Sequence, residues 1–253
     1  MIWGAPELIE LGIVGVGAGA LNAAAGGGTL ITFPVLVALG LPPLTANLSN
    51  TVAQCPGYVA IVHGYLPELA GTRQRIVRLL PAALLGGAAG VAALELASRA
   101  TFRALVPALV ILACVLLAIQ PRVSRMLSER RGARAKRVGL QVAVAAACAY
   151  AAYFGAAAGV LLLAVLAVFV VDDMQRLNAL NRFLIMVINL LAAVLFVALG
   201  PVSWPAIAVL APTTMIGGSA GVSVVRKLSP ATLRATVLLI GVVASVYLVA
   251  TSW

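Results

Sequence analysis

Residues 22–34 read NAAAGGGTLITFP, three consecutive glycines inside an apolar block with an asparagine before them and a proline after. Glycine in a helix interior costs up to about 1 kcal/mol relative to alanine, so three together leave little to hold a helix through this point. The block around them runs from about 7 to 41 and is unbroken by charge beyond Glu10. At roughly 34 residues such a block is too long for one straight membrane span and too short for two full ones. The pattern predicts two short helical legs meeting at a bend near residues 22–28.

Composition sets the medium in which that bend must exist. Of the 253 residues 63% are hydrophobic and 9% are charged. Apolar stretches exceed the roughly 20 residues that cross a bilayer core, which predicts a multi-pass, all-α integral membrane protein. The acidic residues Glu7, Glu10, Glu68, Glu95, Glu129, Asp172 and Asp173 all fall at or between the ends of apolar runs, where charge stays wet. The net charge of +10 therefore describes loops. No basic stretch is interleaved with aromatics, so nucleic acid is not an expected partner. Cys55, Cys114 and Cys148 have neither CxxC nor CxxH spacing and read as small apolar packers rather than disulfide or metal ligands. No cofactor or metal is expected. The opening MIWGAPELIELG has acidic rather than basic flanks and does not read as a cleavable signal.

Moving outward from the glycines reveals a repeat. At a constant offset of 131 residues Gly28 falls on Gly159, Asn47 on Asn178, Asn50 on Asn181, Pro81 on Pro212, Gly86 on Gly217 and Gly90 on Gly221, and SRATFRA (98–104) falls on SPATLRA (229–235). A fixed offset for Asn, Pro, Gly and Arg together is the mark of a tandem duplication. Each half holds four apolar blocks, at about 7–41, 44–63, 74–96 and 101–120, then 138–171, 175–198, 203–225 and 232–252. The division is a first repeat over 1–120, a basic linker over 121–137 and a second repeat over 138–253, with about 8–10 membrane helices. The bend at Gly26–Gly28 has its counterpart near Gly155–Gly159.

Loop charge orients the repeats. The segment from Arg122 to Arg137 holds seven basic residues against Glu129, a cytoplasmic signature. If each opening block enters and returns to its starting side, Arg73, Arg75, Arg78, Arg226, Lys227 and Arg234 all join it inside, and only Arg99 and Arg103 lie outside. A single crossing by each opening block serves the rule worse. A half built this way crosses an odd number of times, so its copy inserts upside down. The expectation is an inverted repeat with both termini outside.

Inverted repeats bring two broken helices together near the midplane, where non-helical backbone is tolerated only inside protein or against a watery cavity. Freed N–H groups and the positive end of a helix dipole make such a break an anion site. The candidate binding residues are Asn22, Gly26, Gly27, Gly28 and Thr29 at the first bend and Asn47, Asn50 and Gln54, with Ser49 and Thr51, on the helix that follows. Asn178, Asn181 and Arg182 mirror them. Arg182 sits about 12 Å into its helix at 1.5 Å per residue, deep enough for an oxyanion to be its natural partner. Its alternatives are to snorkel to the surface or to pair with Asp172 or Asp173.

The stretch GVGAGALNAAAGGGTLITFPVLVALGLPPLTAN (15–47) resembles the opening signature of the TauE/SafE family of bacterial membrane proteins, and the resemblance extends through the duplication and the basic central loop. The second half, GAAAGVLLLAVLAVF (155–169), keeps only Gly155 and Gly159 and lacks the glycine triplet and the proline. What the resemblance implies is secondary transport of sulfite, sulfonates or related sulfur oxyanions across the inner membrane. Among rivals, an anion channel of similar architecture is the nearer one. GGSAG (217–221) matches the G-x-S-x-G pattern of serine hydrolases, but its repeat partner GGAAG (86–90) has Ala88 in place of Ser219, which favours close helix packing. The expectation is no enzyme. For energy coupling there is no intramembrane carboxylate, and His63, at the end of its block, reads as an interface residue.

Overall fold

The computed structural model describes residues 3–115, except 25, 99, 107, 110, 113 and 114, and residues 135–225. Most of the basic linker, Cys114, Arg226, Lys227, Arg234 and the block at 232–252 lie outside the described residues. Among the described residues every regular element is helical. The helices are α1 (Ala5–Ala24), α2 (Thr29–Ala38), α3 (Pro43–Gly64), α4 (Arg73–Leu96), α5 (Ala135–Tyr153), α6 (Ala158–Phe169), α7 (Met174–Leu199) and α8 (Trp204–Val225), with a single turn at Leu66–Leu69 and a helical stretch from 100.

Local chemistry explains the boundaries. α3 opens on Pro43 after Pro42, whose fixed φ suits a first helical position. α7 opens on Asp173, whose carboxylate accepts from Gln175 N at 2.9 Å, satisfying one of the orphan donors of the first turn. The offset seen in the sequence reappears in these bounds. Adding 131 to the starts of α3 and α4 lands on the starts of α7 and α8, and α1 and α2 land within two residues of α5 and α6.

Four of the helices, Ala5–Ala24, Arg73–Leu96, Met174–Leu199 and Trp204–Ser223, are long and apolar enough to cross a bilayer. Leu85 on α4 is 73% exposed and Val194 on α7 is 68% exposed, an arrangement suited to lipid rather than water. The opening hairpins differ from the expected two short legs. α1 has 20 residues and α2 only 10, and the second pair has 19 and 12. At 1.5 Å per residue the first leg is span-length and only the second is short. The bends themselves fall where expected, between Ala24 and Thr29 and between Tyr153 and Ala158.

Contacts set the helix directions. Gly12 meets Val209, Gly15 meets Thr213 and Gly221 meets Ala20, so α1 and α8 run the same way; Gly57 against Thr214 and Gly64 against Val222 align α3 with α8. Gly86 against Ala145 and Gly90 against Ala149 make α4 and α5 parallel. Cys55 Sγ to Asn189 O and Asn178 Nδ2 to Tyr65 Oη make α3 and α7 antiparallel. The ion pair of Arg75 with Asp172, together with Gly87 against Ile188, aligns α4 with α7. α1, α3 and α8 thus run one way and α4, α5 and α7 the other. At the α4–α5 and α1–α8 crossings a Cβ on Gly86 or Gly217 would strike the facing backbone. Without a hydrophobic driving force between helices in lipid, such close approach supplies the packing.

A candidate anion site at the crossing of two helix breaks

The first break is held by a closed set of hydrogen bonds. Gly28 N donates to Asn22 Oδ1 at 2.8 Å, and Asn22 Nδ2 donates to Gln54 Oε1. Gln54 Nε2 faces Asn50 Oδ1 at 2.7 Å, Thr29 Oγ1 at 3.1 Å and Thr32 Oγ1 at 3.3 Å. Asn50 Nδ2 lies 3.3 Å from Thr29 Oγ1, and Thr32 Oγ1 donates to Gly28 O or Asn50 Oδ1. All five of these side chains and Gly28 are buried. Polar groups at this depth are tolerable because each finds a partner. Asn22 caps the short leg from outside its own helix, which is how the chain restarts at Thr29 after breaking at Ala24.

The second break turns without the glycine triplet: Gly155, with φ +77, closes its helix by donating to Tyr150 O as Gly26 closes α1 by donating to Leu21 O. Gly26 has φ +75 and Ala157, its repeat equivalent, has φ +54. Both occupy the left-handed region that L-residues with a Cβ rarely visit. Tyr150 Oη donates to Ala156 O at 2.8 Å, and Val160 N and Leu161 N donate to Ala157 O at 2.9 and 3.2 Å. Phe33 on α2 packs edge-on against Phe154, with ring centroids 5.3 Å apart. That contact couples the two breaks.

Arg182 lies where they meet. A Cβ on Gly26 would lie 3.0 Å from Arg182 Nη1 and 3.0 Å from Gly159 Cα; one on Gly159 would lie 3.0 Å from the same Nη1 and 3.2 Å from Gly26 Cα. The guanidinium therefore sits against backbone from both halves, in a space that exists because neither residue has a side chain. Arg182 is 1% exposed, and it is the one charged side chain in the buried set of the described residues. Its Nε and Nη1 have no hydrogen-bond partner. Neither alternative raised by the sequence is realised. Asp172 bonds Arg75 and stands 4.0 Å from Arg176, and Asp173 caps α7.

Beside it Asn181 Nδ2 donates to Gly159 O at 2.9 Å while Asn181 Oδ1 is buried and unpartnered. Asn47 and Asn178, at equivalent positions, each bridge the halves: Asn47 Nδ2 donates to Tyr153 O at 3.0 Å and Asn178 Nδ2 lies 3.3 Å from Tyr65 Oη. Their Oδ1 atoms are also bare. Ser49 Oγ accepts from Ser203 N at 2.7 Å and Thr51 Oγ1 donates to Asn47 O. Of the residues expected from the sequence, Asn22, Gly28, Thr29, Asn50 and Gln54 bond one another, Gly26 meets Arg182 and Gly159 at the crossing where Asn181 also bonds Gly159, and Asn47 and Asn178 stand near the starts of their helices. Thr32 and Ala157 were missed. A threonine three residues after Thr29 on an apolar leg was a usable signal for the first; nothing in the sequence marks an alanine as left-handed.

Ser219 Oγ donates to Met215 O within its own helix at 3.0 Å, and the flanking Gly217 and Gly221 meet Val16 and Ala20 on α1. The motif packs α8 against α1. His63 is exposed at the end of α3.

Helices long and apolar enough to span a bilayer, packed around two helix breaks, define a multi-pass helical membrane protein. The family model for the sulfite exporter TauE/SafE matches residues 11–248, and the chain belongs to that family. It is 24% identical over 237 residues to proteins described as probable membrane transporter protein YfcA from Escherichia coli strains K12 and O157:H7, covering 90% of this chain and 84% of theirs. No solved structure matches.

Proposed function

We propose that this protein is a secondary transporter that moves a small sulfur oxyanion, sulfite or an organosulfonate, across the bacterial inner membrane, holding it between the two helix breaks. The observation that carries the reading is the buried, unpartnered guanidinium of Arg182 against Gly26 and Gly159. An isolated buried charge is expensive, and an oxyanion is the ligand whose geometry a guanidinium matches. Arg182 and Asn181 contact the anion, backbone from the Gly26–Gly28 and Gly159 breaks surrounds it, and Asn22, Thr29, Asn50 and Gln54 hold the first break in shape.

The two halves, 1–120 and 138–253, form an inverted repeat on this reading. The opposed directions of α1 and α5, of α3 and α7, and of α4 and α8 support it. Alternating access follows if the halves rock about the crossing, with Asn47–Tyr153 and Asn178–Tyr65 as equivalent contacts at opposite ends. The positive-inside rule then sets the linker in the cytoplasm and both termini outside.

Counterflow in proteoliposomes tests this. Vesicles preloaded with unlabelled sulfite, sulfate, thiosulfate or a small organosulfonate are offered labelled sulfite. Saturable accumulation that fails in Arg182→Gln is expected; large anion conductance without counterflow would point instead to a channel.

A further inference from the structure

The donors and acceptors left bare at the crossing specify more than a negative charge. Arg182 presents Nε and Nη1 without partners, and beside it Asn181 presents Oδ1 without one. The amide orientation is set by its surroundings: Asn181 Nδ2 donates to Gly159 O at 2.9 Å, and a flipped amide would face oxygen to oxygen. Both side chains flank the same glycine, with a Gly159 Cβ position 3.0 Å from Arg182 Nη1 and 3.8 Å from Asn181 Nδ2. A ligand that satisfies this pair must accept from the guanidinium and donate to the amide oxygen.

Resting on the transporter reading above, we propose that the site selects a monoanion that carries its own hydrogen-bond donor, a singly protonated oxyanion, over the dianion and over monoanions without a donor. Charge points the same way. A single guanidinium balances one negative charge, and a dianion leaves the crossing with an unmatched charge in a medium that tolerates it poorly. A fully deprotonated anion also sets a lone pair against Asn181 Oδ1, leaving a buried acceptor unsatisfied. For sulfite the selected species is hydrogen sulfite, so the proton crosses on the substrate and the protein needs no carboxylate or histidine to carry it.

The protein's own groups around Arg182 do not mimic this pH dependence. Tyr58 on α3 and Tyr65 at its C-terminal cap face it, and both carry phenols rather than carboxylates or imidazoles; Cys55 belongs to α3, and Cys148 and Tyr153 to α5. Arg75 on α4 pairs with Asp172, which precedes α7 and lies ten residues before Arg182, and Glu68 belongs to the turn after α3.

The test uses the full chain in proteoliposomes, with labelled sulfite counterflow at a series of pH values spanning the second ionisation of sulfurous acid, and with methanesulfonate, a permanent monoanion lacking a donor, as competitor. The half-saturating total sulfite is expected to rise about tenfold for each pH unit above that ionisation. Methanesulfonate is expected to compete at least about tenfold more weakly than hydrogen sulfite at every pH. In Asn181→Ala hydrogen sulfite affinity falls more than methanesulfonate affinity, so this discrimination shrinks. Sulfite affinity that is flat or rises with pH, or methanesulfonate equal to hydrogen sulfite in the unmodified protein, would overturn the donor requirement and leave the anion site standing. Failure of every anion to compete at any pH would overturn the site and the inference together.

Discussion

Arg182→Met separates a binding role from a structural one by the sign of its effect on stability. Arg182 Nε and Nη1 are buried without partners among the protein's own groups. Replacing buried charged groups by apolar side chains of similar volume is typically neutral or stabilising by about 1–4 kcal/mol. The variant is therefore expected to melt at or above the temperature of the unmodified protein in anion-free detergent. Binding moves the other way. Hydrogen bonds to charged groups contribute about 1.5–3 kcal/mol each. Loss of both is then worth about 3–6 kcal/mol, or roughly 10²- to 10⁴-fold in affinity. Saturating sulfite stabilises a protein that binds it only when folded, by about 2.7 kcal/mol at a hundredfold excess over Kd. Thermal unfolding with and without sulfite reads both quantities. The unmodified protein should gain stability on adding sulfite and Arg182→Met should not. A variant that melts lower than the unmodified protein in anion-free buffer, or that keeps the sulfite-dependent gain, would refute the reasoning.

Three further outcomes follow from the same geometry. Gly26→Ala places a Cβ 3.0 Å from Arg182 Nη1 at a residue with φ +75; it should lower stability by about 1–2 kcal/mol and weaken sulfite counterflow, both measurable on one preparation. Gln54→Leu leaves Asn22 Nδ2 without a partner and takes one of several from Thr29, Thr32 and Asn50, and about 1–3 kcal/mol for the group left bare should appear as a lower melting temperature with the ranking of anions unchanged. His63→Ala, exposed and away from the breaks, should retain pH-dependent counterflow; loss of the pH response with normal binding would assign His63 a proton-carrying role.

Much of the architecture was legible because it rests on length and spacing. The 131-residue offset anticipated the starts of α7 and α8 from those of α3 and α4, since both copies carry the same polar and proline punctuation. The positions of both bends were legible too, because glycine weakens a helix wherever it falls. The equality of the legs was not: an apolar block of given length does not say where within it the chain turns, and Asn22 and Phe33 settle that by contacts with Gly28 and Phe154.

The candidate site divides along the same line. Sequence alone determined that amides, glycines and one arginine gather at equivalent positions in two repeats, because residue type and spacing need no third dimension. Only the tertiary structure decided which of them are already spoken for. The amides of the first break saturate one another, whereas Arg182 and Asn181 reach the crossing with atoms to spare. Ala157, at the repeat position of Gly26, is left-handed despite its Cβ. Hydrogen-bond satisfaction is a property of neighbours brought together from α1, α2, α3, α6 and α7, and no single segment carries it.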